Sequence, residues 1–210
     1  MKYPKSIIPM YYTYSAMAHL GYITVSTGCM FAGKTSSILD DCKTMSDDTY
    51  VIFRPLIDTR STNNCIESHD HRKHEAVSIR DVSDMDRYLQ LHSNVVKVYI
   101  DEAQFVHGLA PFIEKNLSRA EWFVAGLDYT SSLTPFGDVL KLSELANETI
   151  KHTCQCRGPT MLGTLTDECT RDALYTYRKS SNTSTILIGG SESYIPVCLT
   201  CHTEACRYNH

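Results

Sequence analysis

The chain has 210 residues, 42% of them hydrophobic and 21% charged, with a formal net charge of −4. That is enough chain to bury one sizeable core and carry a small appendage. The acidic balance argues against a nucleic-acid binder, which would carry clustered basic charge, and no apolar run nears the roughly 18 residues of a membrane-spanning helix, so neither nucleic acid nor membrane is an expected partner.

The first twenty residues carry two lysines and no acid, and lack an apolar stretch followed by a small-residue cleavage site. Residues 1–20 therefore read as a poorly ordered tail rather than a secretory signal. "GYITVST" (21–27) is rich in β-branched residues and reads as a strand. Ile38, Leu39, Cys42 and Met45 recur at helical spacing, which predicts a helix over 34–45. "TYVIFRP" (49–55) is a second strand, stopped by Pro55. Residues 58–80 are polar and His-rich and read as a long loop, with His69, His71 and His74 solvated rather than ligating metal. "VVKVYIDE" (95–102) is an apolar strand ending in two acids, Leu109, Phe112, Ile113 and Leu117 suggest a helix, and "EWFVAGLD" (121–128) is a further buried strand. Strands alternating with helices predict an α/β fold around a mostly parallel sheet.

After residue 150 the texture changes. "STILIGGSESYIPVCLTC" (184–201) reads as a short strand, a glycine turn and a CxxC, so a small second unit is expected over 151–206, beside an α/β domain over 21–150. Cys29, Cys42 and Cys65 are scattered, whereas six of the nine cysteines lie between Cys154 and Cys206. That clustering, without a signal peptide, favours a metal site over disulfides and a cytoplasmic setting.

The segment "GCMFAGKT" completes G-x-x-x-x-G-K-[ST] between a strand and a helix, the context this motif needs. Gly28, Cys29, Met30, Phe31, Ala32 and Gly33 would wrap phosphates with backbone N–H groups, and the following helix adds its positive end. Lys34 would reach the β- and γ-phosphate oxygens of ATP, and the Thr35 hydroxyl would coordinate Mg²⁺. Such a loop calls for an acid at the end of another apolar strand to hold the same metal, and Asp101 fits. Glu102 follows it. In a kinase it would take the proton from an acceptor hydroxyl, and in an ATPase it would orient water; the pair "DE" does not separate these.

Several stretches, in order from residue 21 to 202, together resemble one family: "GCMFAGKT" (28–35), "DTR" (58–60), "HD" (69–70), "DEAQF" (101–105), "GLD" (126–128), "PFG" (135–137), "YTYR" (175–178), and "IGGSESY" followed by "CLTC" (188–201). The chain resembles the type II thymidine kinases, of cellular and poxvirus type. The resemblance implies a RecA-like phosphate-loop domain and a zinc-bearing subdomain whose loop, the lasso, closes over the nucleoside. It implies transfer of the ATP γ-phosphate to the 5′-hydroxyl of thymidine, with Glu102 as general base and Asp101 as the metal-associated acid. Asp58 and Arg60 would face the phosphates. Gln104 is grouped with these residues and, with Phe105, would border the nucleoside; Met30 would lie beside the thymine, with Leu127 and Phe136 in the pocket. In the lasso, Leu187, Ile188, Gly189, Gly190 and Ser191 would run along the base edge, and Tyr194 would line the pocket. The family's habit further suggests a homotetramer inhibited by dTTP.

Two departures stand out. The family's zinc ligands come as two close pairs. Cys198 and Cys201 supply one, but Cys156 and Cys169 are separated by twelve residues, with Cys154 the alternative to Cys156, and His202 and Cys206 spare. Four thiolates need to converge rather than keep a set spacing, and a longer loop costs little closure entropy. The second departure is Ser131, which stands where the family usually has an aromatic residue, thinning one wall of the base pocket. The rival readings are a phosphate-loop ATPase, a kinase with a broader pyrimidine deoxynucleoside range, and a non-catalytic module with a zinc ribbon.

Overall fold

The computed structural model describes residues 21–58, 64–158, 169–179 and 187–208, so the expected tail (1–20) and Arg60 lie outside the described residues. In chain order its elements are β1 (Ile23–Gly28), α1 (Lys34–Cys42), β2 (Tyr50–Pro55), β3 (Cys65–Glu67), β4 (Lys73–Glu75), β5 (Val77–Ile79), α2 (Val82–Leu91), β6 (Lys97–Ile100), α3 (Leu109–Lys115), β7 (Glu121–Gly126), α4 (Val139–Leu145), β8 (Glu148–His152), β9 (Cys154–Gln155), β10 (Asp172–Ala173), β11 (Tyr175–Arg178), β12 (Tyr194–Val197) and α5 (Leu199–Tyr208).

Six strands form one sheet in the order β5-β2-β6-β7-β1-β8, and every pairing within it is parallel. Strand side chains alternate between faces, and the cores follow that period. Val51, Phe53, Val98, Ile100, Trp122 and Val124 pack on one face with Met85 and Leu89 of α2, Leu109 and Ile113 of α3, and Val139 and Leu142 of α4. Their neighbours Tyr50, Ile52, Tyr99, Phe123 and Ala125 turn to the other face, under Ile38 and Leu39 of α1 and Ile66 of β3. A parallel sheet covered on both faces reads as near-continuous apolar runs. Because β7 lies between β1 and β6, the carboxyl ends of the loop-bearing and acid-bearing strands sit one strand apart, where α/β sheets bind ligands.

The C-terminal segment forms two small antiparallel ladders, β9–β10 and β11–β12, followed by α5. Three expectations need correction. Residues 64–80 are not all loop: β3 and β4 form an antiparallel hairpin and β5 is an edge strand, each only three residues long, with Ile66 and Ile79 buried in the two cores. The first helix ends at Cys42, because the amides of Thr44 and Met45 turn back to the carbonyls of Asp41 and Cys42. In the 184–201 stretch, residues 184–186 lie outside the described residues, 187–190 are not in a strand, and the described strand follows the glycines, at Tyr194–Val197.

Candidate active site

The loop between β1 and α1 folds Lys34 inward. Its side chain is buried, and Nζ donates to the Cys29 carbonyl at 2.8 Å. Burial holds the Lys34 pKa below its ordinary value, opposed chiefly by the Glu102 carboxylate and then by Cys29, Asp101 and Asp128. The Met30 amide donates to Thr176 Oγ1 at 3.0 Å, tying the loop to β11. Thr35 Oγ1 lies 3.1 and 3.3 Å from the two Asp101 carboxylate oxygens. A hydroxyl and a carboxylate so close at the mouth of a phosphate loop can share one divalent cation.

These groups open onto a cavity of about 300 Å³. Met30, Phe31, Gly33, Lys34, Thr35, Asp58, Asp101, Glu102, Leu127 and Gly190 line it, while Gly28, Cys29 and Ala32 form the loop behind. His69 and His71 line it too, both exposed in the turn between β3 and β4 as the sequence predicts, with the His69 ring 4.5 Å from that of Phe31. His74 is engaged, 2.7 Å from the Tyr50 hydroxyl, and His71 lies beside Glu67.

Glu102 has left-handed backbone angles, φ 50° and ψ 42°, which cost a non-glycine residue energy and are found most often at functional sites. Its side chain is held in place: Gln104 Nε2 donates to Glu102 Oε2, while Gln104 Oε1 accepts from the Leu127 amide at 3.0 Å. Gln104 is itself clamped. A Cβ on Gly137, whose φ is +57°, would stand 2.5 Å from the Gln104 carbonyl oxygen, and one on Gly126 would stand 2.9 Å from Gln104 Oε1. Gly137→Ala should therefore destabilise the fold by about 1–3 kcal/mol, read from urea unfolding, and lower turnover with it.

Beyond Glu102 lies a second cavity of about 40 Å³. Phe105 and Phe136 meet edge-on in its wall, with ring centroids 5.3 Å apart, and Leu187, Ile188, Gly189 and Tyr194 close it. Gln104 lines this cavity and not the phosphate-side one. Ser191 lines neither, and its carbonyl accepts from Lys179 Nζ at 2.6 Å. The Leu187 carbonyl accepts from the Tyr194 hydroxyl at 2.7 Å, bracing the glycine segment. Ser131 is in the wall, and its carbonyl accepts from His202 Nε2 at 2.9 Å. Sequence reasoning assigned no role to four further lining residues: Tyr129, Thr130, Thr176 and Arg178, whose guanidinium lies 5.6 Å from the Tyr194 ring centre. Glu102, Met30 and Leu127 line both cavities.

The sulfur atoms of Cys156, Cys169, Cys198 and Cys201 lie within 4.8 Å of one another. Four thiolates about 2.3 Å from one ion sit a little under 4 Å apart, so this donor set fits a tetrahedral zinc site. The Cys198 amide donates to Cys156 Sγ at 3.1 Å and Arg171 Nε to Cys169 Sγ at 3.4 Å, as donors do around charged thiolates. Cys154 stands apart, 3.8 Å from Cys29 Sγ, and Cys206 Sγ lies against His202 Nδ1 at 3.7 Å.

Under the phosphate loop, His152 Nε2 lies 2.9 Å from Ser26 Oγ, which is 3.0 Å from Ser37 Oγ. Burial, and then the charge of Lys34, hold its pKa below the ordinary 6.5. A depressed histidine pKa adds stability above the unfolded value, and this is lost as pH falls through it. Wild-type stability to urea should drop between about pH 7 and about pH 5, and drop less in His152→Gln.

The fold and these two adjoining cavities define a phosphate-loop nucleotide-binding protein with a second, aromatic site beside its phosphate site. A family model described as Thymidine kinase matches residues 21–202. The chain is similar to the thymidine kinase of Pseudothermotoga lettingae, with 30% identity over 193 residues covering 90% of this chain and 98% of that protein. It is 32% identical over 188 residues to the thymidine kinase of Mycoplasmoides gallisepticum (85% and 79% of the two chains), and 31% identical over 189 residues to the cytosolic thymidine kinase of Homo sapiens (87% and 73%). The chain belongs to the thymidine kinase family.

Proposed function

We propose that this enzyme transfers the γ-phosphoryl group of ATP to the 5′-hydroxyl of thymidine, giving dTMP. The observation that carries the reading is Glu102, whose side chain borders both the phosphate-loop cavity and the aromatic cavity. A carboxylate at that junction can take the proton of a hydroxyl presented from one side to a phosphate held on the other. Phosphoryl transfer needs mostly positioning and charge neutralisation. The loop amides from Gly28 to Thr35 and the Lys34 ammonium would supply these, with Asp58 beside the phosphates; Arg60, outside the described residues, would join them by the family resemblance. Thr35 and Asp101 would hold Mg²⁺, which neutralises phosphate charge when bound.

Phe105, Phe136, Met30 and Leu127 would hold the pyrimidine, with Gln104 and Tyr194 at its rim. Leu187 to Ser191 would read its edge through the backbone, which rejects bases that leave buried polar groups unpaired. The second cavity is far below the ~300 Å³ at which ligand sites ordinarily begin, so the lasso segment moves outward to admit the nucleoside. The chain then works as two units, residues 21–150 holding ATP and 151–206 closing over the nucleoside. The second unit is pinned by Cys156, Cys169, Cys198 and Cys201, which would hold a structural Zn²⁺. We infer a cytoplasmic homotetramer inhibited by dTTP; no described helix is long and apolar enough to cross a membrane.

The test is γ-labelled ATP with thymidine, deoxyuridine, deoxycytidine or no acceptor. Labelled dTMP, with little free phosphate in the absence of nucleoside, is expected. Equal turnover of all three nucleosides would point to the wall thinned at Ser131 and a broad acceptor range. Free phosphate at the same rate without any nucleoside would make the protein an ATPase.

A further inference from the structure

Two thiols behind the phosphate loop belong neither to the cysteine tetrad nor to the groups around the two cavities. Cys29 Sγ lies 3.8 Å from Cys154 Sγ, although the residues are 125 positions apart. The sheet sets this meeting. Gly28 and His152 are register partners at the ends of β1 and β8, and the two cysteines follow them by one and two residues. Cys29 Sγ is further fixed by donating to the Ala173 carbonyl at 3.4 Å. Cys29 is buried, whereas Cys154 is partly open to solvent. Sulfurs at this contact distance need to close by about 2 Å to bond, within the reach of side-chain rotation when the backbone already brings the residues together.

We propose that Cys29 and Cys154 form a redox modification site that takes a low-molecular-weight thiol disulfide and converts it into an intramolecular protein disulfide, switching off the phosphate loop. The Cys154 thiolate attacks the small disulfide, forming a mixed disulfide and releasing one small thiolate. The Cys29 thiolate then attacks the Cys154 sulfur and expels the second. Two protein thiols are oxidised, one small disulfide is reduced to two thiols, and the two protons lost by the protein are taken up by the released thiolates.

The consequence for the loop follows from its contacts. The Cys29 carbonyl accepts from Lys34 Nζ, and the next amide is held by Thr176. A bond that draws Cys29 toward Cys154 shifts the carbonyl that positions Lys34 and restrains the loop against wrapping a phosphate chain. This consequence rests on the loop binding ATP, as proposed above; the crosslink itself does not.

The experiment incubates the zinc-loaded full chain with oxidised glutathione, maps disulfides by mass spectrometry, and follows ATP binding by calorimetry, zinc release by a chromogenic chelator, and kinase activity. A Cys29–Cys154 crosslink is expected, with ATP binding weakened about 10-fold or more, zinc retained, and both effects reversed by dithiothreitol. Cys154→Ser, and Cys154→Ala alongside it, should keep basal activity and lose the sensitivity. A stable glutathione adduct on Cys154 without the crosslink would overturn the proposal. So would crosslinks confined to the tetrad with zinc release, or a Cys29–Cys154 bond that leaves ATP affinity unchanged. The crosslink is read by mass, so an absence of kinase activity would count against the proposed function and not against the thiol pair.

Discussion

Glu102→Gln should lower kcat by about 10²- to 10⁴-fold while leaving the KM values for ATP and thymidine within a few-fold at neutral pH. Glutamine matches the shape of the carboxylate and keeps an oxygen to accept from Gln104 Nε2, so the left-handed turn and its clamp persist. It cannot take a proton. The split between kcat and KM separates a general base from a binding residue, because a lost binding contact would raise KM. A second effect follows from Lys34. Burial depresses its pKa, and the Glu102 charge is the strongest force holding it up. In the variant, Lys34 should lose its proton at a lower pH than in wild type, and KM for ATP should climb at a correspondingly lower pH. Steady-state kinetics across alkaline pH would read both. An unchanged kcat would remove Glu102 from the chemistry.

The phosphate loop and its acids were legible because each is a run of adjacent residues whose context, strand then helix or the end of an apolar strand, is itself local. The β1, β2, β6 and β7 strands were legible because both their faces are buried. The edges were not. In β8, "ETIKH" is largely exposed and mixes charge with apolar residues, as an edge strand must. The β3–β4 hairpin buries little beyond Ile66, so its sequence looks like loop. For α2 the signal was present and went unread: Val82, Met85 and Leu89 recur at helical spacing behind Asp81, whose carboxylate accepts from the Ser83 amide at 2.8 Å. The motif "YTYR" was visible, but its roles depend on strand alternation. Tyr175 and Tyr177 pack against the cysteine cluster, while Thr176 and Arg178 line the second cavity. Only the pairing of β11 with β12 decides which residues face which way.

Cys201→Ser should abolish stoichiometric zinc binding and produce an early unfolding transition confined to the C-terminal unit. Spacing alone left the tetrad open, since twelve residues separate Cys156 from Cys169. The β9–β10 ladder narrows that gap by pairing Cys154 with Ala173 and Gln155 with Asp172; the Cys156 amide then donates to the Arg171 carbonyl, and Cys169 follows only two residues beyond that bond. The parallel sheet has its own two cores and does not rest on these thiols. What does rest on them is the β11–β12 ladder, since Tyr177, Ile195 and Val197 pack in the same cluster as the four cysteines. That ladder carries Thr176, Arg178 and Tyr194 to the second cavity. Thymidine affinity should therefore fall by about 10²-fold or more, while ATP binding, held by the phosphate loop, falls much less. Zinc content by mass spectrometry, calorimetry with each substrate and a thermal scan would test this, with Cys206→Ser as a control that keeps the metal. If Cys201→Ser retained zinc, a single early transition and full thymidine affinity, the four thiols would not form one closed site. If both substrates were lost equally, the two units would stand or fall together, and the division of labour between them would be wrong.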